Sequence, residues 1–185
     1  MKKNLLDQLF LRRKIFWIIT IVIFVADLWS KEAAISHVRD AAQGNICWVQ
    51  HPWFALVDVS NKGGPWGVGR EFSKALRIVR MLALGVILFI LMGTPYNSRI
   101  QVISLSLVMG GALGNIWDSW VFGHVRDFLY FDLGFAPANP WPAFNLADSA
   151  ICVGVAGLAL TMLCTGFSQR HRVLKEPGKD GTGEN

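Results

Sequence analysis

Three stretches of this chain, Met81 to Ser98, Ile100 to Trp117 and Ser149 to Gln169, contain no charged residue, and a fourth, Ile15 to Ala26, is unbroken and reaches Ser30 if Asp27 is included. A helix needs roughly 20 apolar residues to cross the hydrocarbon core of a bilayer, and these stretches approach that length. Buried helices of a soluble domain rarely come as a set of uncharged, evenly long pieces. The spacing therefore predicts an all-α membrane protein with four transmembrane helices, at about 14–30, 78–98, 100–118 and 148–168. Its 185 residues make one domain, residues 1–167. The remainder, 168–185, ends in RHRVLKEPGKDGTGEN, whose charge and glycine content leave too little apolar surface to order it, so a disordered tail is expected.

The lead-in MKKNLLDQLFLRRK also suits a cleaved secretory signal, but bulky Leu28 and Trp29 stand where a small-x-small cleavage site is needed, so the first run is read as a retained helix. Lys2, Lys3, Arg12, Arg13 and Lys14 precede it, Arg99 separates the second and third runs, and Arg170, Arg172, Lys175 and Lys179 follow the fourth. Positive flanks stay in the cytoplasm, which puts both termini there and the longer loops, 31–77 and 119–147, outside. The net charge of +5 then reflects topology. No basic stripe with interleaved aromatics suggests a nucleic-acid partner. Cys47, Cys152 and Cys164 form no CxxC pair and have no matching His spacing, so no disulfide, metal or other cofactor is assigned; the two in the last run read as packing residues.

The first outer loop contains a β-type run, Phe54 to Val59, followed by the turn residues Asn61, Gly63, Gly64 and Pro65, and VRDFLYF in the second loop reads as another short extended segment. A small extracytoplasmic β-containing region is expected. Trp48, Trp53, Trp66, Trp117, Trp120 and Trp141 fit either an interfacial aromatic belt or the packing of that outer region.

Asp27, Asp118, Asp127, Asp132 and Asp148 all fall near the outer boundary, where an ionised group is expensive unless it faces the bundle interior or a wet cavity. Asp132, in FDLGFAPANPWP, reads as a solvated loop residue. Asn115 and Asp118 stand three apart at the end of the third run, and Asn145 and Asp148 repeat that spacing at the start of the fourth. The plain reading is structural: an Asp at a helix start is commonly a cap, and membrane asparagines commonly bond between helices. The sharper reading is a pair of carboxyls sharing one proton, the ionised member activating water and the protonated one polarising a carbonyl. Two other readings use the same residues, an ion relay in a small transporter or channel and a non-catalytic lipid-binding scaffold. Neither inverted repeats nor paired broken helices support the transporter.

GNIWDSWVFGHVRDF and PAFNLADSAI resemble the two signature blocks of the lipoprotein signal peptidases, or signal peptidase II: GN-x-x-DR with V-x-DF, and FN-x-ADS. DLWSK, residues 27–31, is similar to that family's D-x-x-[ST]-K, and SNKGGPWG is similar to its N-x-G-A-A-F loop. The resemblance implies a membrane aspartic endopeptidase of the bacterial inner membrane, monomeric and without cofactor. Its substrate would be a diacylglyceryl-modified prolipoprotein, cut before the lipidated Cys with the acyl chains left in membrane lipid. It implies catalytic roles for Asp127 and Asp148, not Asp118, a supporting polar shell of Asn115, Asp118, Asn145, Asp27 and Lys31, and a substrate loop at Asn61 and Gly63. Ser119 stands where the family has Arg, with Arg126 expected as the substitute, and GGPW replaces GAAF.

Overall fold

The computed structural model describes residues 13–41, 46–63, 73–94, 98–134 and 141–175. Along the chain come α1 (Lys14–Ala41), β1 (Ile46–Gln50), β2 (Phe54–Asn61), α2 (Ser73–Gly93), α3 (Arg99–Val121), β3 (Val125–Phe131), β4 (Trp141–Phe144) and α4 (Leu146–Lys175). Of these, Arg99–Val121 and Leu146–Cys164 are long and apolar enough to cross a membrane, and Ile78–Gly93 is a shorter apolar stretch. Ile18, Val22 and Val25 of α1, Leu82, Val86 and Phe89 of α2, and Val153, Leu160 and Leu163 of α4 all point outward, each more than half exposed. An apolar surface this continuous has to be covered by something other than water.

Several boundaries differ from the sequence reading, among them those of α2, found at Ser73–Gly93 where 78–98 was expected. The first helix runs on to Ala41, where a loop was expected from residue 31. KEAAISHVRDA is rich in helix-forming residues, and Ala34, Ile35 and Val38 make a buried stripe on the side of α1 that meets β2. At the other end α4 stays helical to Lys175, into the segment assigned to the tail. Residues 176–185, like 1–12 and the Gly64–Pro65–Trp66 stretch, lie outside the described residues.

α3 is the central helix, and small residues set how near its neighbours come. A Cβ at Gly110 would meet Ile23 and the Thr20 carbonyl of α1, and one at Gly111 would overlap the Ala147 carbonyl of α4. Such close approach of helix backbones is how membrane bundles gain van der Waals contact. Below this level Phe16, Ile87, Leu91, Val102, Leu105 and Met109 form the apolar core between α1, α2 and α3.

The four strands form one antiparallel sheet in the order β1–β2–β3–β4. β2 and β3 match the expected extended segments. β1 and β4 were not foreseen: WPAF is four residues long with Pro142 inside it, which suits only an edge strand. Phe54 lies opposite Phe131 with ring centroids 4.8 Å apart, and Phe144 extends the stack at 5.9 Å. Trp53 stacks on Phe131 and Trp48 meets Tyr130 edge-on, so these two tryptophans pack the sheet. Trp117 and Trp120 point outward at the end of α3.

Gly111→Ala is expected to destabilise the protein in detergent by about 1–3 kcal/mol, because neither the Ala147 carbonyl nor Ile151 can yield without moving the start of α4. Gly85→Ala, where nothing lies within 4 Å, is expected to be neutral or slightly stabilising. Thermal unfolding of both variants checks the contrast.

Candidate active site

The start of α4 is closed by a reciprocal cap. Asn145 Oδ1 accepts from the Asp148 N–H at 2.9 Å, and Asp148 Oδ2 accepts from the Asn145 N–H at 3.2 Å, a capping box built from Asn and Asp. Asn145 is thus the cap and Asp148 its partner one turn in, which leaves Asp148 Oδ1 to accept from Asn115 Nδ2 of α3 at 2.8 Å. The buried Asn145 amide also donates to Asp127 Oδ1 at 2.7 Å. One asparagine therefore holds both carboxyls, one through its main chain and the other through its side chain.

Asp127 reaches this point because of strand register. Val59 of β2 pairs with Asp127 of β3, and Asn61, two residues on, is the diagonal neighbour on the same face. Its Nδ2 donates to Asp127 Oδ2 at 3.0 Å, while its Oδ1 accepts from the Gly63 N–H at 2.9 Å.

Beneath the two carboxyls lies an ion network. Lys31, with no exposed side-chain surface, donates to Asp27 Oδ2 at 2.7 Å and to Asn115 Oδ1 at 3.2 Å, and stands 3.3 Å from Asp118. Asp118 is further held by Arg126 through its main-chain N–H at 2.9 Å and its guanidinium at 3.0 Å. The other oxygen of Asp27 accepts from the Ala147 N–H at 2.8 Å, one of the free donors in the first turn of α4. The two Asn-x-x-Asp spacings seen in the sequence thus do different work. The second is a cap, and the first splits, Asn115 toward Asp148 and Asp118 toward the cations.

Every residue singled out from the sequence for the site falls in this one assembly: Asp27, Lys31, Asn61, Gly63, Asn115, Asp118, Asp127, Asn145 and Asp148. Asp132 stays apart, its Oδ1 accepting from the Gly134 N–H in a local turn. Cys152 lines the cavity described next and Cys164 is exposed, so neither is a packing residue inside the bundle. The expected substitution of Arg126 for the missing arginine is not what is found. Arg126 is committed to Asp118 and Glu32, and the side chain at Ser119 is Arg80, whose Nη1 donates to the Ser119 hydroxyl at 2.9 Å. Sequence reasoning missed Arg80 because it adjoins the uncharged run starting at Met81 and, with Lys74 and Arg77 just before it, reads as a flank.

A cavity of about 620 Å³ opens beside the carboxyls. Asp148, Asn115, Asn61 and Arg80 form its polar side, and Val125, Trp141, Phe144 and Ile151 contribute to the apolar one. Asp127 does not line it; at 1 % exposure it lies behind Asn61 and Asn145. Burial, followed by the charge of Asp148, pushes the Asp127 carboxyl up to about 7, against the bonds from Asn61 and Asn145 and the charge of Lys31. Within the assembly four carboxyls, Asp27, Asp118, Asp127 and Asp148, face three cations, Lys31, Arg80 and Arg126, and the exposed Glu32 pairs with Arg126 from its edge.

The fold matches two solved bacterial membrane enzymes, both obtained by the in meso method. One, at 2.3 Å resolution, has a TM-score of 0.69 and 19% identity over 91% of this chain and 94% of that one. The other, at 1.9 Å, has a TM-score of 0.68 and 22% identity over 81% and 93%. The chain shares their fold, a helical bundle with a small antiparallel sheet. The family model for signal peptidase (SPase) II matches residues 19–164. The lipoprotein signal peptidase of Sulfurihydrogenibium sp. (strain YO3AOP1) is 34% identical over 144 residues, 75% of this chain and 84% of the relative. That of Francisella tularensis subsp. novicida (strain U112) is 32% identical over 155 residues, 81% and 92%. The chain belongs to the signal peptidase II family, a family of bacterial membrane proteases.

Two consequences can be measured. Because the folded Asp127 carboxyl is raised from 3.8 to about 7, its contribution to stability is complete below pH 4 and is lost as pH climbs through 7. Unfolding in detergent is expected to become easier across that window, by about 4 kcal/mol at most, and Asp127→Asn is expected to flatten the profile. Lys31→Met leaves Asp27 and Asp118 without their shared cation in a site that water does not reach. A loss of about 3–5 kcal/mol is expected from breaking such a buried arrangement, read by the same assay.

Proposed function

We propose that this chain is an aspartic endopeptidase that removes the signal peptide of diacylglyceryl-modified prolipoproteins, cutting before the lipidated Cys. The observation that carries the reading is that one asparagine, Asn145, bonds both Asp127 and Asp148, with Asp148 lining a largely apolar cavity and Asp127 buried behind Asn61 and Asn145. The sequence similarity to curated lipoprotein signal peptidases supplies the substrate class.

The geometry suggests a division of labour. Asp148 sits in the first turn of α4, faces the cavity and accepts from two N–H groups, which places it for the role of base. Asp127, more deeply buried and raised to about 7, holds the proton. Asp148 takes a proton from a water as its oxygen attacks the scissile carbonyl carbon, and the Asp127 O–H donates to the carbonyl oxygen as charge develops there. Asp148 then gives its proton to the leaving amine as the C–N bond breaks, and Asp127 takes back the hydroxyl proton as the C=O bond re-forms. The apolar cavity wall accommodates the helical signal peptide, while the acyl chains remain in lipid.

In this reading all four helices cross the membrane, α1 and α2 with charged residues confined to their ends or to the site. Both termini are cytoplasmic and the sheet covers an active site near the outer face, where water and a lipid-anchored peptide bond can meet. One copy of the chain supplies every group the reaction uses.

Asp127→Asn and Asp148→Asn are each expected to lower turnover of a diacylglyceryl-modified prolipoprotein by roughly 10²- to 10⁴-fold while the protein remains folded. A gel of purified variants incubated with substrate reads the result, and near-normal cleavage by either folded variant would remove the dyad.

A further inference from the structure

Arg80 is a cation on a helix whose neighbouring side chains, Val79, Met81 and Leu82, are exposed and apolar. An ionisable group in such a place persists when it turns inward and has a task there. Its two terminal nitrogens donate to different elements: Nη1 to the Ser119 hydroxyl of α3 at 2.9 Å, and Nη2 to the Gly63 carbonyl just past β2 at 3.1 Å. The hydroxyl is itself oriented, since Ser119 Oγ donates to the Asn115 carbonyl at 2.8 Å and so turns a lone pair toward the guanidinium. From Gly63 the bonds continue to the reacting centre. The Gly63 N–H donates to Asn61 Oδ1, which fixes the amide so that its Nδ2 faces Asp127.

We propose that Arg80 is a positioning residue that clamps the end of β2 to α3 and so holds the Asn61 amide against Asp127, filling from α2 the cationic place that α3 leaves to Ser119. A fixed fork of two donors suits this place, because the Ser119 hydroxyl and the Gly63 carbonyl lie on separate elements. The inference rests on the peptidase reading for its kinetic test but not for its structural one.

The test uses the full chain in detergent, as parent, Arg80→Ser, Arg80→Lys, Ser119→Arg and the exchange variant carrying both Arg80→Ser and Ser119→Arg. With diacylglyceryl-modified prolipoprotein, Arg80→Ser is expected to lower kcat by roughly 10²-fold with little change in KM, the size of effect expected when a reacting group is misplaced. The exchange variant is expected to regain about tenfold or more, since an arginine from position 119 starts within reach of the same carbonyl. Hydrogen exchange of the amides of residues 58–63 is expected to speed up in Arg80→Ser and slow again in the exchange variant. A parent-like kcat in Arg80→Ser, or a folded exchange variant no better than it, overturns the clamp. If Arg80→Ser fails to fold, Arg80→Lys decides: a single ammonium cannot span both acceptors, and a parent-like rate and exchange pattern would sink the proposal. If the parent itself does not cleave, the peptidase reading falls, and the exchange data alone judge the clamp.

Discussion

Burying charge governs this structure. Moving an isolated ion out of water costs several kcal/mol even after relaxation, and this chain gathers seven ionisable groups at one end of a helical bundle. It tolerates them because each is bonded more than once. Lys31 spans Asp27, Asp118 and Asn115, and Asp118 accepts from Arg126 by main chain and side chain. The two free donors in the first turn of α4 are taken by Asn145 and by Asp27, a carboxylate from the opposite end of the sequence. The positive end of a helix and the negative charge of the site thereby stabilise each other. Burial, followed by the charge of Asp148, raises the Asp127 carboxyl to about 7 within this network.

Backbone packing makes the network possible. A side chain at Gly114 would overlap the Asp27 carboxylate, so α1 carries its acid to within reach of α4 only because α3 is bare at that point. Gly111 does the same for the Ala147 turn. The sheet contributes register in place of proximity. Pairing Val59 with Asp127 leaves Asn61 diagonal to the carboxyl, and a slip by one residue would turn both side chains to the opposite face.

How much of this was legible in the sequence follows from range. The apolar runs gave the helices because hydropathy is local, and Asp127, Asp148 and their asparagines were found because they sit in short motifs. Helix ends were less clear. α1 continues past Ser30 because Ala34, Ile35 and Val38 are covered by a sheet that lies later in the chain, which no window around residue 31 contains. Arg80 was invisible for the same reason: its partners, Gly63 and Ser119, are 17 and 39 residues away. The departure at Ser119 was noticed, but finding its counterpart required knowing which face of α2 meets α3. Arg126, the neighbour in sequence, was the wrong answer because strand geometry turns it to Asp118.

The proposed dyad also bears on how the site rests between turnovers. Asp148 faces the cavity, whereas Asp127 is covered by two amides and its carboxyl is raised to about 7, chiefly by burial. A protonated carboxyl can wait in that place without water, which an ionised one could not do at similar cost. Filling the cavity with an apolar signal helix removes more water from the site, and that disfavours ionisation of Asp127 further. In the proposed mechanism, substrate binding thus favours the protonation state in which Asp127 acts as the acid, while Asp148, which faces the cavity, acts as the base.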